Sequence, residues 1–309
     1  MNQREKRQDS AAAIAELTRQ RPPYLAEIGV RLVREKPLGF ANAVIVLILL
    51  LSGLLADVIA PYRYAEAHPK DGFSPPSSKY LLGTDQLGRD VLSRIIYGAR
   101  VSMGLGLIVT ILGSIGSAAL GMISGYYGGK LDLALQRIVD AWMAFPGLVI
   151  TISLVSVLGP GIPQLILVLT LFSIFPSSRV IRSAVFAIKE NQYIEAAKAV
   201  GCQDPRILMQ YVLPNIMATI IVLATVRLGA VILIEASLSF LGFGLPPPFP
   251  TWGAMLSGQA RAYMLEAPWL AIWPGVALSL AVYSLNMFGD ALRDLLDPRL
   301  RGAGGGRFS

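Results

Sequence analysis

The chain contains 309 residues, of which 54% are hydrophobic and only 15% are charged, and its formal net charge is +7 at pH 7. Soluble domains of this size normally carry about 25% charged residues, so the composition excludes an ordinary soluble protein. The single cysteine and the single histidine exclude a disulfide framework and a metal site built from paired Cys and His ligands.

Long apolar stretches dominate the chain, and a membrane helix needs only about 20 apolar residues. Asp, Glu, Lys and Arg are absent from residues 37–56, 101–129, 141–178 and 267–289. The third stretch is long enough for two spans, because the sequence GPGIP at 159–163 predicts a turn within it. A further stretch, 216–234, is apolar except for Arg227. We therefore predict an all-α integral membrane protein with six transmembrane helices, at about 40–60, 102–126, 145–158, 164–175, 216–234 and 269–288.

Basic residues mark the predicted cytoplasmic side. If the N-terminus is cytoplasmic, the segments on that side hold 19 of the 27 Lys and Arg residues, in agreement with the positive-inside rule. The external loop 61–100 carries six, which is more than that rule expects. We therefore predict cytoplasmic N- and C-termini, with positive charge beside anionic lipid. No nucleic-acid partner is expected, because no basic domain interleaved with aromatic residues is present.

The predicted spans divide the chain into four regions. A cytoplasmic N-terminal segment, 1–36, forms a short amphipathic helix or a loose lead-in. The first span and an extracytoplasmic elbow occupy 37–97, and the apolar face of residues 89–100 predicts an elbow helix along the membrane surface. The membrane domain, 98–290, contains a cytoplasmic loop at 177–212, and a tail follows at 291–309. Within span two, Gly121 and Gly125 form a small-xxx-small pattern that predicts close helix packing.

The motifs of common catalytic sites are missing from the sequence. It contains no G-x-x-x-x-G-K-[ST] loop that could bind a nucleotide phosphate, no G-x-S-x-G and no H-E-x-x-H. We therefore expect no catalytic residues, no metal and no cofactor in this chain. Ionisable residues in or near a span are functional candidates, which singles out Arg227 and Glu235. The alternative is that these two side chains neutralise each other or snorkel, and only fix helix packing.

The segment between spans four and five predicts a short helix outside the membrane. Residues 193–200 form this helix, and Gly201 fits the left-handed position that commonly ends a helix. Asp204 followed by Pro205 predicts an N-cap and the first residue of the next helix. Pro214 then marks the beginning of span five.

Small residues on this helix predict a docking element. Ala196 and Ala197 have little bulk, so the helix could insert deeply into a groove on another protein. Glu195 offers a charge for an Arg or Lys of that partner. The alternative is an ordinary solvated amphipathic loop.

The motif EAA-x3-G with a later Leu-Pro resembles the cytoplasmic coupling motif of binding-protein-dependent ABC importer permeases. Its residues are Glu195, Ala196, Ala197, Gly201, Leu213 and Pro214, with Tyr211 at the position where the motif expects Ile. Further motifs resemble the dipeptide, oligopeptide and nickel class, and within it the second, C-type permease subunit. They are LGTDQLGRDVLSRIIYGAR (82–100), GYYGG (125–129), EASLSFLGFG (235–244), PPFPTWGAML (247–256) and NMFGDALRDLLDPRL (286–300).

This resemblance implies the type I importer permease fold in the bacterial cytoplasmic, or inner, membrane. It implies a heterodimer with a second related permease, two ATPase subunits that bind ATP and Mg, and an extracytoplasmic solute-binding protein. The implied ATPase-coupling residues are Tyr193, Glu195, Ala196, Ala197, Gly201, Asp204, Pro205, Leu213 and Pro214. Residues assigned to the translocation path are Arg227, Glu235 and Asn286. Those assigned to the side of the elbow and the binding protein are Asp85, Arg89, Asp90 and Trp252.

Other functions are compatible with parts of the sequence. The same fold could import nickel chelates or glutathione-like peptides instead of di- or oligopeptides. A secondary carrier driven by an ion gradient is less consistent, because such carriers often show internal repeats and buried carboxylates, and the docking loop would have no role. A membrane enzyme is disfavoured by the lack of any convergent nucleophile, metal or acid–base set.

Overall fold

The computed structural model describes residues 24–296, and within that range the chain is helical and contains no β-strand. The polar segment 1–23 and the end of the predicted tail, 297–309, lie outside the described residues. The α-helices, numbered in chain order from α1 to α13, are Tyr24–Glu35, Pro37–Leu54, Ala56–Ile59, Val91–Tyr127, Gly129–Met143, Gly147–Leu158, Ile162–Lys189, Gln192–Ala199, Asp204–Ile207, Leu213–Phe240, Trp252–Leu256, Gln259–Ala262 and Trp269–Leu296.

Five helical segments of the described chain are long and apolar enough to cross a membrane. They are α2, α4, α7, the continuous run Asp204–Phe240 and α13. A sixth crossing is reached only if α5 and α6 count as one span, and these two helices meet at 88°. The prediction of a span confined to 145–158 therefore needs correction, because α6 has 12 residues and is only about 18 Å long.

The prediction of a separate surface helix at 89–100 is wrong. Helix α4 begins at Val91, where the Asp90 carboxylate caps it by accepting a hydrogen bond from the Ser93 N–H (2.8 Å), and it continues without a break to Tyr127. No proline interrupts these 37 residues, which extend for about 55 Å. The ring of Trp252 packs over Gly98, 3.0 Å from where a Cβ would lie. A larger residue at this position of the helix would therefore crowd the ring.

Helices α4 and α7 pack through glycines at very short distance. A Cβ added at Gly121 would lie 2.8 Å from Ile181, and one at Gly125 would lie 2.9 Å from Val185. The predicted close approach at Gly121 and Gly125 is therefore confirmed. Pro176 lies inside α7, which nevertheless continues to Lys189, well beyond the predicted span at 164–175.

The first and the last helix of the described residues pack against each other. Leu32 of α1 lies in a buried cluster with Ala291 and Leu295 of α13, and Lys36 forms an ion pair with Asp294 (2.6 Å). Helix α13 continues to Leu296, so the first residues of the predicted tail are helical. This contact fixes the N-terminal helix to the last membrane helix.

Candidate functional site

The predicted docking helix is present as α8, eight residues between two turns. It ends at a left-handed Gly201 (φ +82°), as predicted. The Gly201 N–H donates to the Lys198 carbonyl (2.9 Å) and the Cys202 N–H donates to the Ala197 carbonyl (3.0 Å), which is the hydrogen-bond pattern of a Schellman cap. A Cβ at Gly201 would meet nothing within 4 Å, so this position needs glycine for its backbone conformation and not for space.

The predicted N-cap at Asp204 is wrong. Gln203 occupies the N-cap position without a side-chain hydrogen bond, and Asp204 is already the first helical residue. The Asp204 carboxylate instead accepts a hydrogen bond from the Tyr126 hydroxyl (2.7 Å) at the end of α4.

Pro214 does not interrupt the chain path, because the run from Asp204 to Phe240 is continuous. A π-helical stretch, Leu208–Val212, comes directly before it. Proline lacks an N–H and its ring crowds the preceding turn, and a wider π turn relieves that crowding. Residues 192–207 are called the coupling segment below. Leu213 and Pro214, the first residues of α10, thus follow this segment by a helical connection.

The two faces of α8 have different surroundings. Ile194 and Ala197 are buried in a cluster with Ile181 and Val185 of α7 and with Ile207. Only Ala196 of the two predicted docking alanines is exposed, so the expectation that Ala197 enters a partner's groove is corrected.

The outward face of α8 is partly apolar. Tyr193 is 42% exposed and Val200, which follows the helix, is 84% exposed, and Glu195 is exposed as well. An exposed face of this kind on a helix that is firmly anchored from behind is suited to contact another protein.

Tyr126 connects α4 to the coupling segment, and the sequence interpretation did not identify it. Besides the hydrogen bond to Asp204, its ring lies 5.1 Å from the Lys198 ammonium and 6.0 Å from that of Lys189. The tyrosine is buried, and a buried tyrosine hydroxyl normally has a hydrogen-bond partner. That rule says that a partner exists, but it does not say which residue provides it.

Two ion pairs, also missed, hold α5 against α7. Arg182 binds both carboxylate oxygens of Asp132, with 2.6 Å from Nε to Oδ1, and the Ser124 hydroxyl donates to the same carboxylate. Arg179, one turn before Arg182 on α7, pairs with Asp140 of α5. Asp132 is nearly buried, so removing its arginine would leave a buried charge without a counter-ion.

The opposite end of the bundle, called the elbow end, is formed by residues 61–90 and 241–268. Asp85 organises its first loop: Oδ1 accepts from the N–H groups of Leu87 (2.9 Å) and Arg89 (3.0 Å), and Oδ2 accepts from Arg89 Nε (2.6 Å). In the same loop, a hydrogen bond from Lys79 lowers the pKa of Asp71 below its ordinary value. These bonds give the loop a defined structure without strands.

Trp252 joins the second half of the elbow end to α4. It is fully buried, its indole Nε1 donates to the Ile95 carbonyl (3.1 Å), and its N–H donates to the Ser102 hydroxyl (3.3 Å). Asp85 and Asp90 are buried as well. These three side chains therefore lie inside the elbow end and stabilise it, and the contact of this end with a binding protein stays a prediction.

The candidate path residues do not form one cluster. Glu235 is buried and its Oε1 accepts from the Ser239 hydroxyl (2.7 Å), while Arg227 lies two turns away, about 12 Å along α10. The alternative of a mutually neutralising pair is therefore wrong. Arg227 has no hydrogen-bond or ion-pair partner among residues 24–296. Asn286 of α13 lies against Gly229, where a Cβ would be 3.3 Å from its Oδ1.

Comparisons with known proteins agree with this geometry. Residues 117–302 match the family described as binding-protein-dependent transport system inner membrane component. The chain is 37% identical to the dipeptide transport system permease protein DppC of Alkalihalophilus pseudofirmus, over 87% of this chain and 88% of the relative. It is 39% identical to a putative peptide transport system permease protein of Brucella suis, over 82% and 87%.

Two further similarities extend the set. The glutathione transport system permease protein GsiD of Pectobacterium atrosepticum is 39% identical over 84% of this chain and 87% of its own. Among solved structures, the inward-facing MetNI methionine ABC transporter matches with a TM-score of 0.55 and 17% identity, over 67% of this chain and 97% of that one. The last similarity concerns the fold alone. The extent of the family match and the identity to full-length relatives establish that the chain belongs to the inner membrane components of binding-protein-dependent transport systems.

Proposed function

We propose that the chain is the permease subunit of an ATP-driven importer that carries peptides across the bacterial inner membrane. The relatives support this substrate class, since their names describe dipeptide, peptide and glutathione transport. Glutathione-like peptides belong to the same chemical class, and the relatives of both kinds are equally similar at 39% identity. No feature of the described chain favours nickel chelates, and an ion-coupled carrier would leave α8 without a role.

The observation that carries the proposal is the arrangement of α8. Its inner face is anchored by Ile194 and Ala197, and its outer face exposes Tyr193, Glu195 and Ala196. In the proposed complex, this outer face binds a groove of an ATPase subunit, and ATP and Mg are bound by the two ATPase subunits. The helix can drive transport only if it contacts the open and the closed ATPase pair differently.

The anchoring explains how such a contact would be transmitted. Tyr126 links Asp204 to α4, and the buried face of α8 packs on α7. A displacement of α8 would therefore move the ends of two long membrane helices with it, as in alternating access by rigid-body movement.

The remaining partners and the orientation belong to the same proposal. A second related permease would complete the translocation path, and a solute-binding protein would dock at the elbow end. The distribution of Lys and Arg supports cytoplasmic termini and a cytoplasmic position for α8. Arg227, near the middle of α10, would face the path, because a charge without a partner is costly in lipid.

Reconstitution tests the proposal directly. The chain, its partner permease and the ATPase subunits are purified together and placed in proteoliposomes, and uptake of a labelled dipeptide is measured with ATP and the binding protein. The wild-type complex is expected to accumulate the dipeptide only when both are present. Uptake without ATP would support a carrier instead and would contradict the proposal.

A charge reversal on α8 tests the coupling role. Glu195→Lys is expected to abolish uptake while membrane insertion stays intact. The substitution would replace the exposed carboxylate by a positive charge, which the proposed Arg or Lys in the ATPase groove would repel. Glu190→Lys is the matched control, since Glu190 is exposed in the turn after α7 and not on α8. Full uptake by the Glu195 variant would disprove docking through this face.

A further inference from the structure

A cavity of about 510 Å³ lies at the elbow end, within the usual size range of small-molecule sites. It is enclosed by the loop at Asp85, the first turns of α4, the turn between α6 and α7, the segment 241–251 and the beginning of α13. Its walls combine charged side chains with apolar ones such as Leu245 and Phe249. All of these elements belong to one chain, so the cavity does not depend on the partner permease.

The charged lining of the cavity has an excess of positive charge. Arg89 and Arg94 line it, and Asp85 is the one acidic side chain among its described lining residues. The Asp85 carboxylate is already occupied by two backbone N–H groups and by Arg89. Arg94 stands 3.8 Å from Asp85, donates to the Tyr64 carbonyl (3.0 Å), and has a side chain that is only 11% exposed. The guanidinium thus has one long ion pair, with Asp85, and makes no hydrogen bond to a carboxylate of the described residues, so donors remain for a ligand.

We propose that this cavity binds the C-terminal carboxylate of the peptide before it is transported, with Arg94 as the principal contact. The inference rests on the proposed function, because it takes the peptide as substrate. Every linear peptide ends in a carboxylate, and the planar guanidinium forms short, charge-assisted hydrogen bonds with that group. Leu245 and Phe249 offer apolar surface to the adjoining side chain, which would allow many peptide sequences to bind.

The position of the cavity fits this step. It lies at the end of the bundle opposite α8, where the solute-binding protein would release its ligand. A site at this end would hold the released peptide while the path opens, and its single charge contact would bind the terminus common to all peptides. Glu235 is no part of the cavity lining, although Ser239, which donates to it, is.

Direct binding tests the inference. The assembled complex in nanodiscs, without binding protein, is titrated with labelled alanyl-phenylalanine and with its C-terminal amide. The wild-type complex is expected to bind the acid at least tenfold more tightly than the amide. Arg94→Met is expected to reduce this ratio to about two or less, because it removes the guanidinium and retains an unbranched apolar side chain.

Two other variants separate the charge from the fold. Lys79→Met is the matched control: it also removes one positive charge from the elbow end, but Lys79 is exposed and does not line the cavity. It should bind like wild type. Ser257→Phe fills the cavity without changing its charge, and should weaken binding of acid and amide alike. Copurification of the ATPase subunits verifies that each variant is assembled. If Arg94→Met fails to assemble, the binding of acid and amide by Ser257→Phe decides whether the peptide binds in this cavity.

The inference is overturned if wild type binds acid and amide equally, if it binds neither, or if assembled Arg94→Met keeps the tenfold preference. Undiminished binding by Ser257→Phe would also overturn it. The proposed function is judged separately, by ATP-dependent uptake into proteoliposomes. Normal uptake together with equal binding of acid and amide would reject the cavity site alone, whereas absence of uptake would reject the importer itself.

Discussion

The hydrogen bond between Tyr126 and Asp204 is expected to keep the coupling segment on the membrane helices. Tyr126→Phe removes only the hydroxyl that donates to the carboxylate at 2.7 Å, and leaves the ring between Lys198 and Lys189 in place. A hydrogen bond to a charged group contributes about 1.5–3 kcal/mol to stability. Asp204 is partly exposed, so water can replace the lost donor, and the lower end of that range applies.

A loss of about 1.5 kcal/mol corresponds to about a tenfold change in an equilibrium constant. The local opening of residues 192–207 should therefore become about tenfold more frequent, which hydrogen–deuterium exchange on the assembled complex measures for backbone amides. Coupling should weaken together with it, because α8 could move without pulling α4. The number of peptides imported per ATP hydrolysed is thus expected to fall while the complex stays assembled.

The neighbouring tyrosine supplies the control. Tyr127 is 47% exposed, and no hydrogen bond of its hydroxyl occurs within the described part of the chain. Tyr127→Phe should leave both exchange and coupling at the wild-type level. If Tyr126→Phe also leaves both unchanged, the hydroxyl does not hold the segment in place and the reasoning is refuted.

Three further substitutions test other parts of the structure. Gly201→Ala should destabilise the end of α8 by about 1–2 kcal/mol, since an L-residue is strained at φ +82°; Gly201→Asn should cost less, and equal exchange rates in both variants would contradict the argument. Arg182→Met should lower the stability of the folded chain by about 3–5 kcal/mol by leaving Asp132 unpaired, and a thermal-unfolding midpoint equal to that of wild type would exclude this. Arg227→Ala should alter the kinetics of uptake without affecting insertion, and unchanged kinetics would place Arg227 outside the path.

The membrane helices could be predicted because their signal is local. A charge-free stretch of about 20 residues is diagnostic by itself, and the boundaries of α2 and the beginning of α13 follow it closely. A different signal misled at α4, where the apolar face of residues 89–100 suggested an elbow helix along the membrane surface. The elbow loop instead contacts polar side chains of this stretch, for example through the hydrogen bond from Arg94 to the Tyr64 carbonyl.

The direction of individual side chains could not be predicted from residue type. Ala196 and Ala197 are chemically identical, yet one is exposed and the other buried, because only the packing of α8 on α7 decides between them. The same holds for Trp252, which was assigned to the side of the elbow and the binding protein without any indication that it is fully buried.

Contacts between distant parts of the chain could not be predicted from the sequence either. Tyr126 and Asp204 are 78 residues apart, and Asp132 and Arg182 are 50 residues apart. No spacing rule relates them, and Asp132 lies in α5, in a segment for which no helix was predicted.

The glycine contacts between α4 and α7 limit where this protein can bend. From Gly113 to Gly125 the two backbones are so close that a sliding movement would drive side chains of α7 into the backbone of α4. We therefore expect α4 and α7 to move together as one rigid unit. The connections beside this unit are its turns, where Gly128 and Gly159 have positive φ angles, and the bend of 88° between α5 and α6. We expect any gate in this chain to open by rotation of a helix at these turns, and not by sliding of α4 along α7.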